Sequence, residues 1–213
     1  MIQIAPSMLA ADFLHLEKEV QLVNRYADLF HLDIMDGTFV PNISYGFPVV
    51  EAIAKIAEKP LDAHLMIVNP EKYVDRCAKL GVSMLSFHLN ATENPADVLD
   101  QIREAGMSPG LAINPDIAVE ELFPYLAKCD YLLLMSVFAG FGGQKFIEDT
   151  YDRIARLKAE ILRQGLTCRI QIDGGVSAAN AGRLVECGAE ILVAGSAVFQ
   201  AEDPAEVIAA MRG

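Results

Sequence analysis

The sequence predicts a closed (β/α)8 barrel, on three observations. Eight short β-branched or aliphatic runs recur along the 213 residues. Segments of helical period separate them, which implies parallel strands joined by right-handed crossovers. Polar residues of unusual type gather at the C-terminal ends of the runs: Ser7, His31, Asp33, His64, His88, Ser136, Asp173 and Ser196. In a closed barrel all those ends open on one mouth, which favours it over the competing doubly wound open sheet. No linker, low-complexity tract or shift of composition divides the chain, so a single domain over residues 1–213 is expected.

In order, the strand runs are residues 3–5, 29–34, 61–66, 84–88, 109–113, 131–136, 168–172 and 191–194. Between them lie apolar stripes at three-to-four spacing, such as Tyr73, Val74, Cys77 and Leu80, or Tyr151, Ile154, Leu157 and Ile161. Asn69-Pro70 and Asn94-Pro95 read as an N-cap followed by proline at the first helical position, and Ser177 as a further N-cap. Gly81, Gly106, Gly165 and Gly188 each fall just after a helix, where a left-handed residue is wanted. The expected alternation is β then α throughout.

Hydrophobic residues make up 53% of the chain, so a chain this long should bury about 70% of its unfolded surface. Asp plus Glu number 29 against 17 Lys plus Arg, a net charge of −12. That balance argues against a nucleic-acid or anionic-membrane surface. An anionic small molecule would have to be held by backbone N–H groups or a bound cation. The opening Met1-Ile-Gln-Ile-Ala-Pro-Ser7 has no charged leader, and the apolar run 131–143 is too short and Gly-rich to span a bilayer; a soluble cytoplasmic protein is expected. Cys77, Cys129, Cys168 and Cys187 lie far apart, fitting neither a zinc knuckle nor a disulfide framework, and read as small buried apolar residues.

His31 and Asp33 are two apart on one strand, so their side chains leave the same face. His64 ends the next strand and Asp173 the seventh. Two imidazoles and two carboxylates at one mouth make a site for a divalent metal: zinc, iron(II), manganese or cobalt. Asp33 stands between Leu32 and Ile34, where a buried carboxylate without a partner would cost several kcal/mol or take up a proton. Gly140-Phe141-Gly142-Gly143, Gly174-Gly175 and Gly195-Ser196 follow strands six, seven and eight, where glycine lets backbone N–H groups approach a phosphate. A metal beside two carboxylates can polarise a ketone and stabilise an enediolate. If one aspartate takes a proton from one face and the other returns one to the opposite face, the carbon is inverted.

The segments Ile4-Ala-Pro-Ser-Met-Leu-Ala-Ala-Asp12, His31-Leu-Asp-Ile-Met-Asp-Gly37 with Phe39-Val-Pro-Asn42, Leu61-Asp-Ala-His-Leu-Met66, Gly140-Phe-Gly-Gly-Gln144, Asp173-Gly-Gly175 and Val193-Ala-Gly-Ser196 resemble ribulose-phosphate 3-epimerases, in order over nearly the whole chain. The resemblance implies a (β/α)8 barrel that interconverts D-ribulose 5-phosphate and D-xylulose 5-phosphate in the pentose phosphate pathway, with one divalent metal per subunit. It assigns His31, Asp33, His64 and Asp173 as metal ligands, and Asp33 and Asp173 also as the acid/base pair. It places Ser7 and His64 on the sugar, and Gly140, Phe141, Gly142, Gly143, Gly174, Gly175, Gly195 and Ser196 around the substrate, the glycines and Ser196 at its phosphate end. Met35, Met66 and Met135 would line the site, and a homo-oligomer is implied. Two positions depart from the family pattern. His88-Leu-Asn-Ala91 carries Asn90 where a glutamate is usual, and Phe138-Ala139 replaces an Asn-Pro pair in the loop expected to cover the substrate. An altered loop could suit a six-carbon substrate such as allulose 6-phosphate, the second reading; a sugar-phosphate-binding barrel without catalysis is the third.

Overall fold

The computed structural model describes residues 2–213; Met1 lies outside them. Eight strands, β1 (Gln3–Pro6), β2 (Phe30–Met35), β3 (Leu61–Met66), β4 (Val82–His88), β5 (Ser108–Ile113), β6 (Tyr131–Met135), β7 (Arg169–Asp173) and β8 (Ile191–Ala194), form one sheet. Its pairing order is β1-β8-β7-β6-β5-β4-β3-β2, parallel throughout. The ring is closed between β1 and β2 by a single bridge, Ser7 to His31. The expected barrel is therefore present, with its seam beside two residues singled out by sequence.

The helices are α1 (Leu16–Tyr26), α2 (Phe47–Ala54), α3 (Val74–Lys79), α4 (Pro95–Glu104), α5 (Thr150–Arg163), α6 (Ala178–Cys187), α7 (Ser196–Phe199) and α8 (Pro204–Arg212). Alternation along each strand separates two cores. Leu32, Ile34, Leu65, Phe87, Leu132 and Ile170 turn outward and join helix residues such as Val20, Ile102, Ile154 and Leu184. Ala5, Leu29, Met84, Tyr131, Ile191 and Val193 form a separate cluster inside the barrel, with Val193 reaching the cleft at its mouth. The α5 stripe of Tyr151, Ile154, Leu157 and Ile161 is buried as expected.

Three local expectations need correction. The crossover between β5 and β6 is a run of 3-10 turns, Val119–Lys128, because Pro124 inside it removes an α-helical donor. Asn69 and Asn94 make no side-chain cap bond; Asn69 instead adopts a left-handed conformation (φ 52°) and opens the 3-10 turn Pro70–Tyr73. Tyr73 is consequently outside α3 and partly exposed. Ser177 does open α6, its N–H donating to Asn180 Oδ1 at 2.9 Å, and Gly81, Gly106, Gly165 and Gly188 all have positive φ. All four cysteines are free thiols, three of them buried. Among the described residues no helix is long and apolar enough to cross a membrane.

One glycine is dictated by packing. A Cβ on Gly110 would stand 2.3 Å from Cζ of Tyr131, whose ring occupies that space inside the barrel. Gly110→Ala is expected to cost about 1–3 kcal/mol, the usual penalty for overfilling a packed interior. A urea midpoint unchanged from wild type would show that the ring has room to move.

Candidate active site

The side chains at the C-terminal ends of the strands do converge. His31, Asp33, His64 and Asp173 each offer one donor atom, and those atoms all lie within 4.8 Å of one another. Asp33 Oδ1 is 3.1 Å from His64 Nδ1 and 3.4 Å from His31 Nε2; Asp173 Oδ2 is 3.7 Å from each of the same nitrogens. The other Asp33 oxygen accepts from Ser7 Oγ at 2.5 Å, across the seam. His31 Nε2 is buried and has no hydrogen-bond partner. A buried orphan nitrogen facing two carboxylates fits a cation among these four groups, and the N2O2 donor set suits zinc, iron(II), manganese or cobalt.

The electrostatics separate the two acids. Burial alone would raise the pKa of Asp33, but the neighbouring His31 charge and the hydrogen bond with His64 outweigh it and hold the carboxyl well below the ordinary range. Asp173 is pushed up to about 6, by burial first and then by the negative charge of Asp33, against the pull of His31 and His64. His31 is raised although its burial acts the other way, because Asp33 and Asp62 both face it. His88 is driven well below the usual histidine range by burial and by His64.

Local structure explains the placement. Asp33 and His64 are paired neighbours in the β2–β3 register. Ser136, just past β6, receives no substrate-facing role from its contacts: its Oγ donates to the carbonyls of Asp173 (2.9 Å) and Gly174 (2.6 Å), and its N–H donates to Asp173 O at 2.8 Å, fixing the end of β7. Asp36 accepts from the N–H groups of Thr38, Phe39 and Val68 and so shapes the loop after β2. In that loop Asn42 Nδ2 donates to Gly140 O at 2.9 Å, tying it to the glycine-rich loop after β6.

Above the four groups lies a cleft of about 490 Å³. It is lined by Ser7, Asp33 and Asp173, by Gly140, Phe141, Gly142 and Gly143, by Gly174 and Gly175, and by Gly195 and Ser196. Met35, Met66 and Met135 also face it, as does Asn42, whose part sequence reasoning missed. His31 and His64 are not on this lining and lie beneath it, each fully buried. No lysine or arginine is among the lining residues. Gly175 (φ +64°) cannot carry a side chain, since a Cβ would meet Phe146 N at 2.7 Å; this close backbone packing sets the wall after β7.

Sequence reasoning also missed the layer under the site. Asp62, Tyr131 and Gln171 are buried inside the barrel, and Asp62 Oδ2 is 2.7 Å from His31 Nδ1. The signal was available: Asp62 precedes His64 by two and Gln171 precedes Asp173 by two, so each shares a strand face with a residue already singled out. Arg153, also missed, is buried on α5 and donates to the carbonyls of Met135, Asn114 and Ile117, bracing the loops after β5 and β6.

Similarity to known proteins agrees with this geometry. Solved structures of a tryptophan synthase α-subunit mutant from Pyrococcus furiosus (TM-score 0.72, 16% identity, 94% of this chain and 91% of that one) and of KGPDC from Streptococcus mutans (TM-score 0.73, 12% identity, 100% and 96%) share the barrel alone. Sequence relatives are far nearer. The ribulose-phosphate 3-epimerase of Synechocystis sp. is 45% identical over 99% of this chain and 93% of its own length. That of Bacillus subtilis is 40% identical over 100% and 99%. With residues 3–199 also matching the sequence model of the Ribulose-phosphate 3 epimerase family, the chain belongs to that family and is an epimerase, an enzyme of the isomerase class.

Proposed function

We propose that the protein interconverts D-ribulose 5-phosphate and D-xylulose 5-phosphate, moving a proton at C3 between Asp33 and Asp173. The observation that carries this reading is geometric: Asp33 and Asp173 both line one cleft and approach the same two histidine nitrogens, Asp33 at 3.1 and 3.4 Å and Asp173 at 3.7 Å from each. One proton acceptor and one donor are what inversion needs. Asp33 takes the C3 proton on one face, its Oδ2 held by the Ser7 hydroxyl; Asp173 delivers one from the other face, and the roles exchange in reverse. His31, Asp33, His64 and Asp173 would hold a divalent metal, which when bound supplies Lewis-acid stabilisation of the negative charge that develops on the sugar oxygens. Met35, Met66 and Met135 keep water away from the reacting carbon with polarisable side chains.

At the phosphate end the backbone does the work. Gly140 to Gly143, Gly174, Gly175, Gly195 and Ser196 offer N–H groups at a wall without basic side chains, as the net charge anticipates. The two departures from the family pattern leave the cleft wall unaltered. Asn90 and Phe138 are exposed, and neither lines the cleft. Gln144 Nε2 donates to the carbonyls of Phe138 and Phe141, and Ala139 N–H to Asn114 Oδ1, so this loop is pinned without its proline. A homo-oligomer belongs to the same proposal; the exposed apolar side chains of Phe13, Leu14 and Ile43 give a second copy surface to cover.

Incubation in deuterium oxide with each sugar tests the reading. Ribulose 5-phosphate is expected to yield xylulose 5-phosphate carrying deuterium at C3, at least about tenfold faster per enzyme than allulose 6-phosphate is turned over. Faster turnover of the six-carbon sugar would reassign the substrate. Tight binding of either ester with no deuterium at C3 would leave only a binding barrel.

A further inference from the structure

His31 and His64 each direct one ring nitrogen at the aspartate pair, and each has its second nitrogen engaged from behind. The backing differs. Behind His64 stands another imidazole, His88 Nε2, at 2.9 Å from His64 Nε2. Behind His31 stands a carboxylate: Asp62 Oδ2 lies 2.7 Å from His31 Nδ1, with both side chains fully buried. The contact is built into the sheet, because His31 and Asp62 are register partners on β2 and β3.

Asp62 is fully buried and absent from the cleft lining. Its remaining contacts hold it from the far side of the barrel. Tyr131 on β6 donates its hydroxyl to Oδ1 at 3.0 Å, and Gln171 on β7 donates Nε2 to Oδ2 at 2.5 Å. Tyr131 reaches it only because Gly110 leaves space for the ring. Three strands thus aim donors at one carboxylate in the middle of the barrel. As mere filling this is a poor choice, since well-packed apolar residues serve stability as well as a buried ionic cluster. The arrangement makes sense if the atom that matters is the opposite nitrogen of His31, the buried Nε2 that has no partner of its own.

We propose that Asp62 is a positioning residue: by accepting the Nδ1–H of His31 it keeps the proton on that nitrogen when a divalent cation takes the place of any proton on Nε2, and it holds the ring with Nε2 toward Asp33 and Asp173. This rests on the metal reading of the four groups above. Carboxylates behind ligating histidines generally set ring orientation and ligand basicity. The His64–His88 pair shows that this chain backs its two imidazoles unequally, so the cation would meet one strongly and one weakly polarised ring.

Asp62→Asn isolates the effect. Asparagine keeps one acceptor oxygen for His31 and Gln171, and its amide can donate to Tyr131, whose hydroxyl accepts as readily as it donates. The probe is cobalt(II), with affinity measured by competition against a chromophoric chelator, the visible absorption bands of the loaded protein recorded, and thermal melting of the metal-free protein followed. The expected result is a 10- to 100-fold loss of cobalt affinity with altered bands, about the range seen when such partners are removed elsewhere, and a cooperative melt without metal. A variant with wild-type affinity and bands would overturn the role of Asp62 alone. Wild-type protein that binds no cobalt would overturn the metal reading and this inference together. Should Asp62→Asn fail to fold, nitrogen-15 NMR of the zinc-loaded wild type decides. A strongly deshielded proton on His31 Nδ1, with Nε2 ligated, upholds the proposal; ligation through Nδ1 overturns it.

Discussion

Asp173→Asn is expected to lower the rate of C3 inversion by about a thousandfold or more, in the range that loss of a positioned acid or base produces. An amide at that position can neither take up nor release the proton that must cross to the second face. The fold should be little affected, because Asp173 sits at the cleft wall with its backbone held by Ser136. Isotope exchange makes the test sharper than rate alone. With Asp33 intact, one epimer should still exchange its C3 hydrogen with solvent and return unchanged, since the same carboxylate can remove and replace the proton on its own face. Asp33→Asn should show the reciprocal pattern with the other epimer, at a larger cost in stability, since Asp33 is the group that Ser7 and both histidines surround. Near-normal inversion in either variant, or exchange of the same epimer by both, would exclude a two-carboxylate mechanism.

Removal of divalent metal should abolish inversion, with recovery on adding about one equivalent of cobalt(II), manganese(II), iron(II) or zinc per chain. Without a cation the two acids burden one another: Asp33 is held ionised by the histidines, and its charge helps to push Asp173 up to about 6. A cation among the four donors favours the ionised form of both and satisfies the orphan nitrogen of His31. Its uptake should therefore release protons, most of all below pH 6, where Asp173 holds one. Full activity in protein shown by elemental analysis to be metal-free would overturn the ligand assignment.

Much of the barrel was legible because its signals are local. Strand β3 runs over Leu61–Met66, as the pattern places it, and seven others fall within about two residues of their expected bounds, the usual uncertainty of element ends. Departures occur where one residue overrides the pattern, as Pro124 does in the β5–β6 crossover and Asn69 before α3. At the site, the four converging groups announce themselves as polar residues in apolar strands. Asp62 carries the same mark, yet its meaning depends on partners remote in the chain: Tyr131 is 69 residues away and Gln171 is 109. Strand pairing brings those partners together, and no spacing rule encodes it. The link from Asn42 to Gly140 spans 98 residues and was equally hidden.

The missing basic side chains shape the kinetics of encounter as well as the geometry of the cleft. A doubly charged ester approaching a molecule of net charge −12 meets repulsion at long range rather than guidance. Capture is then governed by forces that act within a few ångströms, beyond the reach of ionic screening, and dissolved ions ease the approach instead of hindering it. On the proposed reading, selectivity for the phosphorylated sugar would be set on arrival, by how well the peptide groups close around it, and not by the pull of the surrounding field.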